Sequence, residues 1–184
     1  NGGGLRASID AGEITMGEVL TVLPFQNTLA TFDATGADIL AALENGFSQV
    51  EDGGGRYPQV AGMTFTFDVS QPVGSRISDV MVASEDGFAP IDPETIYGVV
   101  TNNYMRGGGD GYKVFASMGT DAYDFGPGLE QVVADYLAAN SPYTPALRGN
   151  VVAGASLPAA GQTAVVEAAG TVVNATETTV ATMV

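Results

Sequence analysis

Ile39, Leu43 and Phe47 recur at every fourth residue, whereas Met63, Phe65, Phe67 and Val69 alternate strictly with threonine, threonine and aspartate; Gly53-Gly54-Gly55 stands between the two patterns. A spacing of four stacks side chains on one face of a helix, and a spacing of two lines one face of a strand. No single regular element accommodates both periods, so a helix and a half-buried sheet must share a core. Gln71-Pro72-Val73-Gly74-Ser75 supplies turn residues after the alternating run, which predicts that Arg76 to Val82 folds back and pairs with it. Helices mixed with antiparallel strands give an α+β domain.

The flanking segments fit that class. Thr15-Met16-Gly17-Glu18 has capping-box spacing and predicts a helix from Met16 to Val22, stopped by Pro24. Thr28 to Asp33 reads as a strand, and Thr35 caps the helix that carries Ile39. Thr95 to Thr101 is β-branched and apolar, a strand running straight into Asn102-Asn103-Tyr104 and the glycine loop behind it. Pro127 opens a last helix, with Leu129, Val132, Val133, Tyr136 and Leu137 on one stripe, ending before Asn140-Ser141-Pro142. The 184 residues suit one compact domain, placed at 1–150, with an appendage at 151–184. That appendage has no lysine, arginine or aromatic residue, and its valines at 165–166, 172–173 and 180 predict a linker followed by β-prone segments. A tail of this kind is expected to add to a sheet edge, its own or a neighbour's, and so to allow self-assembly. Asn174-Ala175-Thr176 matches a glycosylation acceptor.

Charge and composition exclude several functions. A formal charge of −15 with six basic residues opposes any surface that neutralises a polyanion, so nucleic acid is not expected as a partner. Any phosphate contact must rest on local arginines and backbone donors. Histidine and cysteine are absent, which removes thiolate nucleophiles, disulfides and the commonest metal ligand and general base. Oxygen-only metal sites remain open, but no Asp-x-Asp-x-Asp-Gly run occurs, and Glu51-Asp52-Gly53 reads as an acidic turn. Neither a leader nor an apolar stretch of about 18 residues is present, so no membrane span is expected. The acidic, lysine-poor, cysteine-free composition predicts a periplasmic or extracellular setting, and the start at Asn1 predicts a piece of a longer protein.

Three stretches combine flat rings, glycine-rich turns and a few polar groups: Asn1-Gly2-Gly3-Gly4-Leu5-Arg6, Pro24-Phe25-Gln26-Asn27 and the segment from Asn103 to Tyr112. Rings stack a heterocycle, the Asp110 carboxylate accepts from sugar hydroxyls, and the Arg6 guanidinium forks onto phosphate. A nucleotide carries all three groups. Each residue also has a plainer reading: Phe25 as a core plug, Asp110 and Asn27 as turn formers, Arg6 as a surface partner of Asp10 or Glu13.

With Gly12-Glu13-Ile14-Thr15, Leu23-Pro24-Phe25-Gln26-Asn27, Tyr57-Pro58-Gln59-Val60-Ala61-Gly62-Met63 and Gly108-Gly109-Asp110-Gly111-Tyr112 following Asn1-Gly2-Gly3-Gly4-Leu5-Arg6 in order, residues 1 to about 150 resemble the C-terminal domain of the 5′-nucleotidase family. The resemblance implies a layered α/β/β/α build and a substrate-recognition role, with the base of a nucleoside phosphate between Phe25 and Tyr104 and the ribose on Asp110. It implies nucleotide contacts for Asn1 and Arg6, a base contact for Asn27, and a place near the base for Gly55. It further implies a preceding metallophosphatase domain holding two divalent metals, with no catalytic residue, metal ligand or cofactor in this chain, whose parent would be a hydrolase. Tyr104 departs from the phenylalanine usual at its position, two further phosphate-clamping arginines would lie before Asn1, and the tail has no counterpart. The alternative expectation is a nucleotidase-like module reused as an extracellular structural or surface-assembly protein with a strand-donating tail.

Overall fold

The computed structural model of the chain describes residues 1–154. The expected strands and assembly contacts of residues 155–184, and the Asn174 acceptor, lie outside the described residues.

Helix α1 (Met16–Val22) starts at Thr15, whose Oγ1 accepts from the Glu18 N–H at 3.3 Å while the Glu18 carboxylate accepts from the Thr15 N–H at 2.7 Å. Helix α2 (Gly36–Gly46) repeats the device with Thr35 and Asp38, both bonds at 3.2 Å. Each reciprocal pair satisfies two N–H groups that a helix start would leave orphaned, worth about 1 kcal/mol.

Between these helices runs β1 (Leu29–Thr35), which alternates strictly and buries Ala30, Phe32 and Ala34. It pairs antiparallel with β5 (Ile96–Asn102) from Leu29 opposite Asn102 to Thr35 opposite Ile96, and with β6 (Thr120–Tyr123) on its other edge. The second sheet places β2 (Met63–Phe67) antiparallel to β3 (Ile77–Ser84), as the turn residues predict, with β4 (Gly87–Pro90) outside β3. Its other edge is β7 (Val151–Ala153), parallel to β2 with Phe65 opposite Val151. Sequence assigns these residues to the appendage; the sheet instead continues past the boundary placed at 150.

The main core lies where α2 meets both sheets. Ile39, Ala42 and Leu43 pack with Phe32 of β1, Phe65 and Phe67 of β2 and Val80 of β3. Phe47 is wholly buried at the end of α2, its ring 4.8 Å from Tyr57, 5.3 Å from Phe65 and 4.7 Å from Phe67. Helix α4 (Lys113–Met118) adds Phe115, 4.9 Å from Phe32. On the opposite face of β1, Leu29 packs into a smaller cluster in which Val19, Val22 and Leu23 meet Leu129 of α5 (Leu129–Ala139). The class is α+β, and β1 packs on both faces at its Leu29 end.

A buried cation locks α2 to the second sheet. Arg76 donates from Nη1 to the Phe47 carbonyl at 2.7 Å and from Nε to the Gln71 carbonyl at 3.2 Å, and its guanidinium pairs with Glu51. Glu44 accepts from the backbone N–H groups of Arg76 at 3.1 Å and Ile77 at 2.9 Å. The Arg76 hydrogen bond holds the Glu51 carboxyl below its ordinary range.

Candidate functional site

The end of β5 turns into one helical turn, α3 (Asn103–Arg106), where sequence leads the strand directly into the glycine loop. Asn102 makes that turn possible. Its side-chain oxygen accepts from the Met105 N–H at 2.8 Å, a cap that a local reading of the polar run does not single out. Gly108 follows at φ +91°, a left-handed position suited to glycine, and Asp110 then sits at φ 50°, ψ 25°. A non-glycine residue there carries modest backbone strain, which aspartate tolerates better than most. Gln26, between Phe25 and Asn27, has the same handedness at φ 53°. Two of the three stretches that sequence singles out thus contain one such residue, and Asp79 and Asp121 adopt the same handedness in β3 and β6.

Asp110 is held by four hydrogen bonds to three residues. Asn1 Nδ2 donates to Oδ2, the Tyr104 hydroxyl donates to Oδ1 at 3.1 Å, the Asp110 N–H donates to that hydroxyl at 3.3 Å, and Asn45 Nδ2 donates to the Asp110 carbonyl at 3.1 Å. The ring of Tyr104 lies over Gly109: a Cβ at Gly109 would come within 2.5 Å of it, so only glycine admits this arrangement. Buried Asn102 donates to Asn1 Oδ1 at 3.1 Å, which fixes the amide that reaches Asp110. Asn45 in turn accepts from Arg56 Nη1 at 3.3 Å. Beneath the loop, the Tyr112 hydroxyl donates to the Arg56 carbonyl at 2.6 Å; burial, aided by the Asp110 charge, pushes its pKa well above the ordinary phenol value, so it remains a neutral donor.

The Phe25 loop is stitched to this network one residue before Tyr104. Thr28 N–H donates to Asn103 Oδ1 at 3.2 Å and Asn103 N–H donates to the Thr28 carbonyl at 2.9 Å. Phe25 is 57% exposed and Tyr104 48%, so neither ring is a core plug. Phe25, Asn27 and Asn102 line one cleft together with Glu130.

The predicted residues therefore divide. Asn1, Tyr104 and Asp110 converge in one hydrogen-bonded group, and Phe25 and Asn27 stand on the adjoining cleft. Arg6 is exposed and donates to the Gly3 carbonyl at 3.4 Å; among the described residues it pairs with neither Asp10 nor Glu13. Gly55 packs backbone to backbone on Gly3, which donates to its carbonyl at 2.7 Å. Asn45, Asn102 and Glu130 are the residues that sequence reading misses. Only Asn102 leaves a local trace, an asparagine at the first position before a predicted loop.

Residues 1–117 match the family model described as 5′-nucleotidase, C-terminal domain. The Trifunctional nucleotide phosphoesterase protein YfkN of Bacillus subtilis (strain 168) is 52% identical over 124 residues, which cover 66% of this chain and 8% of that protein. Among solved structures, the 5′-nucleotidase precursor from Thermus thermophilus superposes with a TM-score of 0.81 at 44% identity, over 85% of this chain and 31% of that one. The NAD nucleotidase (NadN) of Haemophilus influenzae gives 0.71 at 28% identity, over 83% and 29%. The chain spans less than a third of the length of each of these relatives.

Proposed function

Because the chain belongs to the 5′-nucleotidase C-terminal domain family, we propose that it is the substrate-recognition part of a nucleotidase-type phosphoesterase, stacking the base of a nucleoside phosphate between Phe25 and Tyr104 and holding the ribose on Asp110. One observation carries the reading: both Asp110 carboxylate oxygens are fixed by protein donors, Asn1 and Tyr104, beside an exposed ring. A carboxylate offers about four lone-pair sites, so about two remain for a vicinal diol, whose two O–H groups are donors. Asn27 would contact the base, and Arg6, which forms no ion pair among the described residues, the phosphate. Gly55 would support the site by seating the Asn1 turn.

Hydrolysis in this reading belongs to a preceding metallophosphatase domain, whose two divalent metals activate water there. Among the described residues no three acidic side chains converge, and histidine is absent from the chain, so the residues present do not fit those metals. The acidic, cysteine-free composition supports a periplasmic or extracellular setting, and no helix among the described residues is long and apolar enough to cross a membrane.

Isothermal titration of the chain with adenosine tests the reading. Phe25→Ala and Tyr104→Ala should each weaken binding by about 1 to 3 kcal/mol, the usual worth of a base–aromatic stack. Binding indifferent to both substitutions would refute it.

A further inference from the structure

Asn1 and Tyr104 hold the Asp110 carboxylate, but the backbone beneath it is in a pose that an L-residue disfavours. Gly108, Asp110 and Gly111 take left-handed φ values of 91°, 50° and 83°, and Asp110 is the one of the three with a Cβ. Such a pose persists where a neighbour holds it. That neighbour is Asn45, the penultimate residue of α2, whose Ile39 and Leu43 are anchored in the main core. Its Nδ2 donates to the Asp110 carbonyl at 3.1 Å. Its Oδ1 lies where a Cβ on residue 111 would come within 2.6 Å, so glycine at 111 lets the amide reach the loop.

An asparagine amide has a donor end and an acceptor end, and half a turn would set its oxygen against the Asp110 carbonyl. Arg56 opposes that rotation. Its Nη1 donates to Asn45 Oδ1 at 3.3 Å and to Ser48 Oγ at 3.1 Å, while the Ser48 hydroxyl donates to the Asn45 carbonyl at 2.7 Å. A guanidinium only donates, so it accommodates the oxygen end of the amide and not the nitrogen end. In a chain with 21 acidic and six basic residues, Arg56 nonetheless forms no ion pair among the described residues and faces Asn45 and Ser48 instead. The same segment seats the Asn1 turn, because the Gly2 and Gly3 N–H groups donate to the Tyr57 and Gly55 carbonyls, both at 2.7 Å. The Tyr112 hydroxyl, just past Asp110, donates to the Arg56 carbonyl at 2.6 Å. Asn1, Asp110 and Asn45 are thus tied to one frame.

We propose that Asn45, oriented by Arg56, is a positioning residue for the sugar contact: it holds the Asp110 backbone in the left-handed pose from which the carboxylate meets the ribose diol. The proposal rests on the reading that Asp110 takes the ribose. Asn45 acts through Asp110 and touches no ligand itself. Without its donor the Asp110 carbonyl is free to turn, the carboxylate moves with the backbone, and a ligand that uses the carboxylate loses its partner geometry. Phe25 lies outside these contacts, so a ligand bound by stacking alone keeps its hold.

The test is titration of the full chain with adenosine and 2′,3′-dideoxyadenosine, repeated for Asn45→Ala, Asn45→Asp and Arg56→Ala, with thermal melts confirming that each variant is folded. The unaltered chain should prefer adenosine by about tenfold or more, as hydrogen bonds to a charged group allow. Asn45→Ala removes the donor; Asn45→Asp removes it while keeping the size of the side chain and the acceptor for Arg56. Each should weaken adenosine by about three- to tenfold and the dideoxynucleoside by less than about twofold. Arg56→Ala keeps the donor but frees the amide to rotate, so its adenosine affinity should fall between those of Asn45→Ala and the unaltered chain. Should Asn45→Ala not fold, Asn45→Asp and Arg56→Ala make the same comparison. Folded Asn45 variants that keep the full adenosine preference, or that lose both ligands alike as a merely structural role would require, overturn the Asn45 assignment while the sugar contact of Asp110 stands. If the unaltered chain binds both nucleosides equally, or neither, the sugar contact itself fails and the assignment falls with it.

Discussion

Tyr104→Phe separates the two roles assigned to this side chain, because it removes the hydroxyl and keeps the ring. The hydroxyl donates to Asp110 Oδ1 at 3.1 Å and accepts from the Asp110 N–H at 3.3 Å. A hydrogen bond to a charged group contributes about 1.5 to 3 kcal/mol when shielded from water. Tyr104 is 48% exposed, so solvent competes and the value falls to about 1 kcal/mol. Two consequences oppose each other. Losing the hydroxyl frees one acceptor site on Oδ1, but it also frees the carboxylate to rotate, leaving Asn1 as its remaining side-chain donor. Because a carboxylate has about two further sites for the diol already, the added acceptor gains little and lost positioning dominates. Tyr104→Phe should therefore weaken adenosine binding by about 0.5 to 1 kcal/mol, roughly two- to fivefold. The affinity of 2′,3′-dideoxyadenosine, which has no diol for Asp110, should change less than about twofold, since the stacking face is retained. Paired isothermal titrations read the difference. Equal losses for both ligands, or tighter adenosine binding by the variant, would contradict the positioning argument.

Two stability predictions come from the core beneath the site. Phe47→Ala empties a fully buried position flanked by Tyr57, Phe65 and Phe67, and should cost about 3 to 5 kcal/mol in denaturant melts; a loss below about 1 kcal/mol would mean that the sheet and α2 do not share one core. Burial pushes the Tyr57 phenol from 10.0 to about 12, equivalent to about 3 kcal/mol. The unfolded chain releases this proton first, so that stability is fully present below pH 10.0 and is lost as pH rises towards about 12. Tyr57→Phe should leave stability near neutrality little changed and flatten the alkaline decline, and an identical alkaline profile in the variant would remove Tyr57 as its source.

Local rules reach those elements whose signals are local. Helix α1 has the predicted bounds Met16–Val22 because Thr15, Glu18 and Pro24 define both ends within a few residues. The alternation at Met63 to Phe67 matches for the same reason, and of the stripe beginning at Leu129 the structure packs Leu129, Val133 and Leu137 inward while Tyr136 is exposed. Other elements leave no such signal in the sequence. Helix α4 has six residues, and Tyr112 before it makes no side-chain cap bond. Strands β4 and β6 are exposed throughout, so burial imposes no alternation on them, and β6 pairs with β1 through a register shift. Phe25 could pass for core in the sequence, and only its exposure decides otherwise.

The residue types and their order were sufficient for the α+β class, for the exclusion of thiol and imidazole chemistry, and for the family, since all of these depend on neighbours along the chain. The tertiary structure alone decided what surrounds Asp110. Its contact with Asn1 spans 109 residues, that of Asn102 with Asn1 spans 101, and that of Asn45 with the Asp110 carbonyl spans 65. Hydrogen bonds between such distant residues are set by how the two sheets and α2 close on a common core, and a local pattern carries no trace of a partner that only folding brings near. The same holds for Glu130, an ordinary helix residue in the sequence, which only folding brings to the cleft lined by Phe25 and Asn27.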